Sequence, residues 1–243
     1  SRDTVKSIID LKKDEWDIKI IPCGWGNTPL GFINENPEWQ FLNKHFINGP
    51  LTQQPDIFIW ITIPTEFQKI GKYNIGITAG LETDIVPGDW IEGCNRMDMV
   101  LVSSEHSKEA FKRSKFQKQN PQTKQVEGVI ELTTPIEVLF EGIDTNVYKF
   151  LDKPNKEIGA LNTIPEDFCY LFVGHWLQGD LGEDRKNVGY LIKAFFELFK
   201  NKKNKPALVL KTSIIGPSYM DRDEILKRIQ MIRKSVNSED LPN

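Results

Sequence analysis

The chain has 243 residues, 39% of them hydrophobic and 27% charged, with a formal net charge of -3. That composition fits one large or two modest globular domains. It argues against a dedicated nucleic-acid binder, which carries a basic excess. Cys23, Cys94 and Cys169 are odd in number and widely spaced, and no CxxC pair occurs. Neither a zinc site nor a disulfide framework is expected, and a reducing, cytoplasmic setting fits. No apolar run approaches the ~18 residues needed to span a bilayer.

Residues 4–13 read as a helix, with Val5, Ile8 and Ile9 on one face. DIKIIPCG (17–24) reads as a buried strand, and 36–47 as a helix with Pro37 in its first turn and Trp39, Leu42 and Phe46 on one face. DIFIWITIP (56–64) is apolar almost throughout, which predicts a central strand covered on both faces. NIGITAG (74–80) is a further strand. A short helix over 87–97 and a strand over 97–104 follow, and Ser103 or Ser104 is placed to cap a helix running to about Phe116. IEVLFEGID (136–144) reads as a strand ending at a glycine. The alternation predicts an α/β fold with a doubly wound parallel sheet. Such domains open on a strand and a glycine-rich turn, whereas this sequence opens on a helix. The first domain, residues 1–152, is therefore read as lacking its first strand.

Residues 151–166 are polar, carry Pro154 and Pro165, and read as a linker. A second α/β unit (166–243) has a strand at 168–174, a helix at 188–200, a strand at 207–213 and a helix at 221–236. Leu191, Ile192, Phe195 and Phe199 form the apolar face of the first helix, and Ile225, Ile229, Ile232 and Val236 that of the second. Two strands are too few for a doubly wound sheet, so this second domain is expected to be incomplete.

The segment YLFVGHWLQGDLGEDRKNVGYLIKAFFELFK (170–200) carries the main functional signal. Its strand ends at Gly174, and a loop ending in Arg185-Lys186-Asn187 opens the helix. A helix N-terminus has unpaired N–H groups and the positive end of the dipole, and so favours phosphate. Arginine forks onto phosphate oxygens and lysine adds a point charge. The alternative is a solvated loop in which both cations pair with Glu183 and Asp184. Earlier, Glu82, Thr83 and Asp84 follow a predicted parallel strand at its carboxyl end, where ligands collect in open sheets. Asp84 or Glu82 could accept bonds from sugar hydroxyls, or these residues could cap the 87–97 helix.

Three blocks, ETD…P…W…N…D…V…V…S over 82–103, EGIDTNVYKF over 141–150 and LFVGHW…RKN…LIKAF over 171–195, together resemble the family-4 retaining glycosyltransferases of the GT-B fold. The resemblance covers most of residues 56–212. It implies two facing Rossmann-like domains, a nucleotide-sugar donor held mainly by the second, and sugar transfer to a glycan, lipid or protein acceptor with retention. It implies no cofactor and no bound metal.

In that family an arginine after the second domain's first strand and a lysine opening the next helix grip the donor diphosphate. Lys186 matches the lysine. His175 stands where the arginine would be, so Arg185 or an imidazolium at His175, next to Gly174, would take its part; the latter would make affinity pH-dependent. Glu82, Thr83 and Asp84 fall on the sugar or acceptor side. The family's glycine-rich loop and its paired-glutamate motif are not among these residues, and the strand at 56–63 lacks the family's acceptor-side histidine. His45 and His106 sit on predicted helices and read as surface residues. No catalytic base is therefore named; the resemblance implies that retaining transfer relies on the donor phosphate itself, so the absence is not decisive.

Residues 107–125 hold six Lys/Arg against one acid, Glu109. A basic surface of this kind touches anionic membranes in similar enzymes. A solvated helix and loop is the plainer reading, since no stripe of exposed aromatics accompanies the charge. Trp25, Trp60, Trp90 and Trp176 are expected in the core or lining a cleft. A non-catalytic binding or assembly module derived from the transferase fold is the competing function. An NAD(P) enzyme is not supported, because no G-x-G-x-x-G follows a predicted strand.

Overall fold

The computed structural model describes residues 2–22, 31–79, 81–120, 122–152, 159, 161–177, 181–214 and 219–243. The end of the strand expected at 17–24, together with Trp25, Gly80, Pro154 and most of the expected linker, and Gly179 lie outside them. The chain divides into two compact units, Ser1–Lys149 and Phe150–Asn243.

The first unit begins with helix α1 (Arg2–Lys12), in which Ile9 is buried. Helix α2 (Phe32–Glu35) and a 3-10 helix (Pro37–His45) follow. The α-helix expected over 36–47 is thus wound more tightly, and only Leu42 on its apolar face is buried. Over the described residues 17–22 the strand expected at 17–24 does not form. Ile20 makes one isolated parallel bridge to Phe46, with Ile20 N donating to His45 O at 2.8 Å and Ile47 N to Ile20 O at 3.2 Å. Pro22, which has no N–H, cannot extend that ladder. His45 is not a surface residue: its ring Nδ1 sits 3.0 Å from Ile18 O, and its Nε2 is buried.

Strands β1 (Ile57–Ile61), β2 (Tyr73–Ile77), β3 (Met99–Val102) and, later in the chain, Ile136–Val138 form a four-stranded sheet, all neighbours parallel. β1 lies at the sheet's edge and Ile57 is exposed, so the apolar run at 56–64 marks a rim and not the expected centre. The strand order steps across the sheet in chain order without reversing. The expected doubly wound arrangement, which needs a reversal, is not completed by these strands. The 17–22 segment takes no part in this sheet among the described residues and bridges to Phe46.

Helix α3 (Gly88–Cys94) joins β2 to β3. Its Gly93 packs so closely that a Cβ there would lie 2.0 Å from the Pro64 carbonyl oxygen. Helix α4 (Glu105–Arg113) starts as expected: Ser104 Oγ accepts from Ser107 N, and Lys112 and Arg113 lie in the last turn, where cations suit the helix dipole. Helix α4 ends before Phe116, because an antiparallel hairpin of β4 (Phe116–Gln119) and β5 (Val126–Ile130) follows. Nothing in its mostly polar sequence announced it. The last strand of the sheet is then β6 (Ile136–Val138), much shorter than the 136–144 run. The core gathers Phe67, Ile91, Val100, Val102 and Phe111, all essentially fully buried. Phe67 lies under the sheet at Gly76, where a Cβ would come 2.4 Å from its ring. Each such side chain contributes roughly 1.5–3 kcal/mol by leaving water.

In the second unit, strands β7 (Cys169–Val173) and β8 (Ala207–Lys211) pair in parallel. Helix α5 (Val188–Phe199) links them, and α6 (Tyr219–Ser235) follows. One core unites Val188, Ile192, Phe195 and Phe196 of α5 with Ile225 and Ile232 of α6 and Trp176. Phe172, Leu208 and Leu210 pack on it from the strands. Tyr170 meets the Phe195 and Phe199 rings on the same side, whereas Leu171 is 67% and Val173 57% exposed. The buried strand read at 168–174 is covered on one face only, since both helices serve the same core. Leu191, placed in that core by its spacing, is instead 39% exposed.

Candidate functional site

The carboxyl ends of β7 and β8 carry the residues marked by the sequence. The parallel ladder runs past both strands: Gly174 N donates to Lys211 O at 3.1 Å and Trp176 N to Ser213 O at 3.0 Å. These bonds hold the Gly174-His175-Trp176 turn. Trp176 is fully buried, and Arg228 of α6 fixes it by lying over its ring at 5.6 Å and donating from Nη1 to its carbonyl at 3.2 Å. Glu224 accepts from Arg228 Nε at 3.2 Å.

Gly174 has a specific reason to lack a side chain. A Cβ there would lie 3.0 Å from Lys186 Nζ and 3.2 Å from Lys186 Cδ. The lysine therefore lies across the bare backbone at the strand end, and the structure brings Gly174 and Lys186 together. His175 is exposed, with Nδ1 3.1 Å from Ser213 Oγ. Arg185 is exposed one residue before Lys186.

The loop meets α5 through two unusual residues. Gly182 takes φ of 89° against the Tyr190 ring, and Asn187 takes φ of 52° as the helix's N-cap. Left-handed backbone of this kind suits glycine and asparagine. Asp184, whose role the sequence did not reveal, is buried. Its Oδ2 accepts from Val188 N at 2.9 Å, and its carbonyl accepts from Asn187 N at 2.9 Å. The N–H groups of Gly189 and Tyr190, in the first turn of α5, have no intrahelical acceptor. Residues 183–186 carry two acids and two bases, so their formal charges cancel. The geometry separates them: Asp184 turns in on the helix, and Lys186 turns to the strand end.

In the first unit Glu82, Thr83 and Asp84 follow β2 and are all exposed. α4 ties down both ends of their loop: Ser107 Oγ accepts from Leu81 N at 3.1 Å and Ser114 Oγ from Val86 N at 2.9 Å. Thr83 Oγ1 donates to Ile85 O at 3.0 Å. None of the three caps α3, whose N-cap is Pro87 with no side-chain hydrogen bond. In the EGID turn, the Asp144 carboxylate accepts from Asn146 N at 2.9 Å, which holds its pKa below the ordinary value.

The residue that sequence reasoning missed is Ser213. It follows the second strand as His175 follows the first, and that equivalence of position was its only sequence signal. A cavity of ≈620 Å³ lies at the other end of the same strands, lined by Glu166, Phe168, Tyr170, Phe199 and Lys203 among others, and contains none of the marked residues. Among the described residues no group of three or more His, Cys, Asp or Glu is arranged to hold a metal ion, and no helix is long and apolar enough to cross a membrane. In the basic stretch, Lys108, Lys112, Lys115 and Lys118 are each ion-paired, with Glu137, Glu109, Glu131 and Glu92. The chain matches no family model, no curated protein and no solved structure at a significant level.

Proposed function

We propose that this chain is a retaining glycosyltransferase of the GT-B type, built on two Rossmann-like halves, that moves a sugar from a nucleotide-sugar to a glycan, lipid or protein acceptor. The observation that carries the reading is the Lys186 side chain lying across Gly174, where a parallel strand ends beside the α5 N-terminus. A diphosphate seated there would meet the Lys186 ammonium, Arg185, the His175 ring and the Gly189 and Tyr190 N–H groups. All of them stabilise charge that grows as the bond from diphosphate oxygen to the anomeric carbon breaks. The acceptor hydroxyl then bonds that carbon on the face the diphosphate leaves, and its proton passes to the donor phosphate. Protein cations meet the charge in this scheme, with no metal or cofactor. Glu82, Thr83 and Asp84 take the sugar or acceptor side. The order and spacing of the three sequence blocks supports the same assignment.

Calorimetry with UDP and GDP tests it. One of the two is expected to bind, and Lys186→Ala to weaken that binding by roughly tenfold or more, as for loss of a charge-assisted contact. No binding of either nucleotide, with Lys186→Ala also silent, would remove the donor site. Binding with no transfer from any nucleotide-sugar would make the chain a binding module.

A further inference from the structure

The donor-site reading leaves open how a histidine does the work of an arginine, and Ser213 supplies an answer that rests on that reading. The register that pairs Val173 with Lys211 carries on two residues to set His175 against Ser213. The backbone bonds from Gly174 N to Lys211 O and from Trp176 N to Ser213 O flank this pair and fix its separation. The result is the 3.1 Å contact between His175 Nδ1 and Ser213 Oγ.

A neutral imidazole has one N–H and one lone pair, and which nitrogen carries the hydrogen depends on the partner of the other. Two arrangements fit the contact. If Nδ1–H donates to Ser213, the hydroxyl hydrogen turns to solvent, since the pair is exposed. Nε2 then offers a lone pair, which repels a phosphate oxygen. If Ser213 Oγ–H donates to Nδ1, the hydroxyl spends its only hydrogen and Nε2 carries an N–H. Of the two forms, only this second one presents a donor to an anion.

We propose that Ser213 is a positioning residue that holds neutral His175 with its hydrogen on Nε2, so that an uncharged imidazole donates to the donor diphosphate. His175 then serves as a directed N–H, and a full positive charge on the ring is not required. The same contact restrains the plane of the exposed ring.

Nitrogen-15 NMR of the full chain with labelled histidine reads the tautomer directly, and His175→Gln assigns the signal against His45 and His106. Wild type is expected to show a protonated Nε2 and a bare Nδ1 in the neutral form. Ser213→Ala should mix the two tautomers, and Ser213→Thr, which keeps the hydroxyl, should restore one. With UDP or GDP, Ser213→Ala should weaken binding roughly three- to tenfold, as for one hydrogen bond. The His175→Ala/Ser213→Ala pair should lose no more than His175→Ala alone, because the serine acts through the ring. A wild-type ring protonated on Nδ1, or a Ser213→Ala ring unchanged in tautomer, overturns the proposal, as do additive losses in the double variant. If neither nucleotide binds but the Nε2–H form still depends on Ser213, the positioning role stands and the donor-site reading falls.

Discussion

Asp184 offers a test that separates the stability of α5 from its chemistry. The residue is 6% exposed and its Oδ2 accepts from the N–H of Val188, itself fully buried, at 2.9 Å. Asp184→Ala leaves that donor with no acceptor and no water. A lost helix cap of this kind costs about 1–2 kcal/mol. Asp184→Asn keeps a side-chain oxygen in place, and asparagine caps nearly as well, so its cost should stay within roughly 0.5 kcal/mol. The two variants also remove a negative charge beside Lys186 and the helix N-terminus. A charge there is worth about 0.3–1 kcal/mol, so UDP or GDP should bind Asp184→Asn roughly two- to fivefold more tightly. Urea unfolding gives the stability as a shift of midpoint at constant slope. Hydrogen exchange on the α5 amides assigns the loss to the second unit, and calorimetry gives the affinity. An Asp184→Ala chain as stable as wild type would refute the capping argument. Weaker nucleotide binding by Asp184→Asn would refute the placement of the anion beside this end of α5.

Gly174→Ala should cost under about 1 kcal/mol, since the atoms crowded by the new Cβ belong largely to the flexible Lys186 chain. It should still weaken UDP or GDP binding by displacing the ammonium, and unchanged affinity would show that Lys186 does not need the strand end. Buried Asn74 accepts from Ile70 N and Gly71 N, both at 2.8 Å, so Asn74→Ala strands two backbone donors and should cost about 2–4 kcal/mol in urea unfolding. Asp98 accepts from Asn74 N, and this bond lowers its pKa on folding. Its contribution to stability is therefore present above the unfolded value near ~4 and lost as pH falls through the lower folded value. Asp98→Asn should be less acid-sensitive than wild type between neutral pH and ~3, and equal slopes would contradict this. Burial pushes the Cys94 thiol up to about 12, whereas Cys169 is exposed. Peptide mapping after mild alkylation should find Cys169 modified and Cys94 intact until the chain unfolds.

Much of the fold could be read along the chain because it depends on local spacing. The stripe of Ile225, Ile229, Ile232 and Val236 was legible, as were the Ser104 cap and the strand at 74–80, since each follows from a period or a capping residue. The loop order Gly174, then Arg185-Lys186, then a helix was equally plain, because strand, turn and helix signals sit side by side in the sequence. What failed needed knowledge of neighbours. An apolar run such as 56–64 looks the same at the centre of a sheet and at its rim, and only the pairing of β1 with β2 alone decided it. The 17–22 segment has strand composition, yet its partner proved to be Phe46. β7 is apolar on both faces, but α5 and α6 cover one of them.

The candidate site divides in the same way. The sequence by itself determined which charges lie near residue 186 and that they open a helix. Only the tertiary structure decided that Asp184 turns inward to cap it, that Lys186 crosses Gly174, and that Ser213 reaches His175 from 38 residues away. The last of these contacts depends on the register between two strands separated by a helix. Register is specified by which face of a strand is buried, and a run that is apolar on both faces, as β7 is, does not show that face locally.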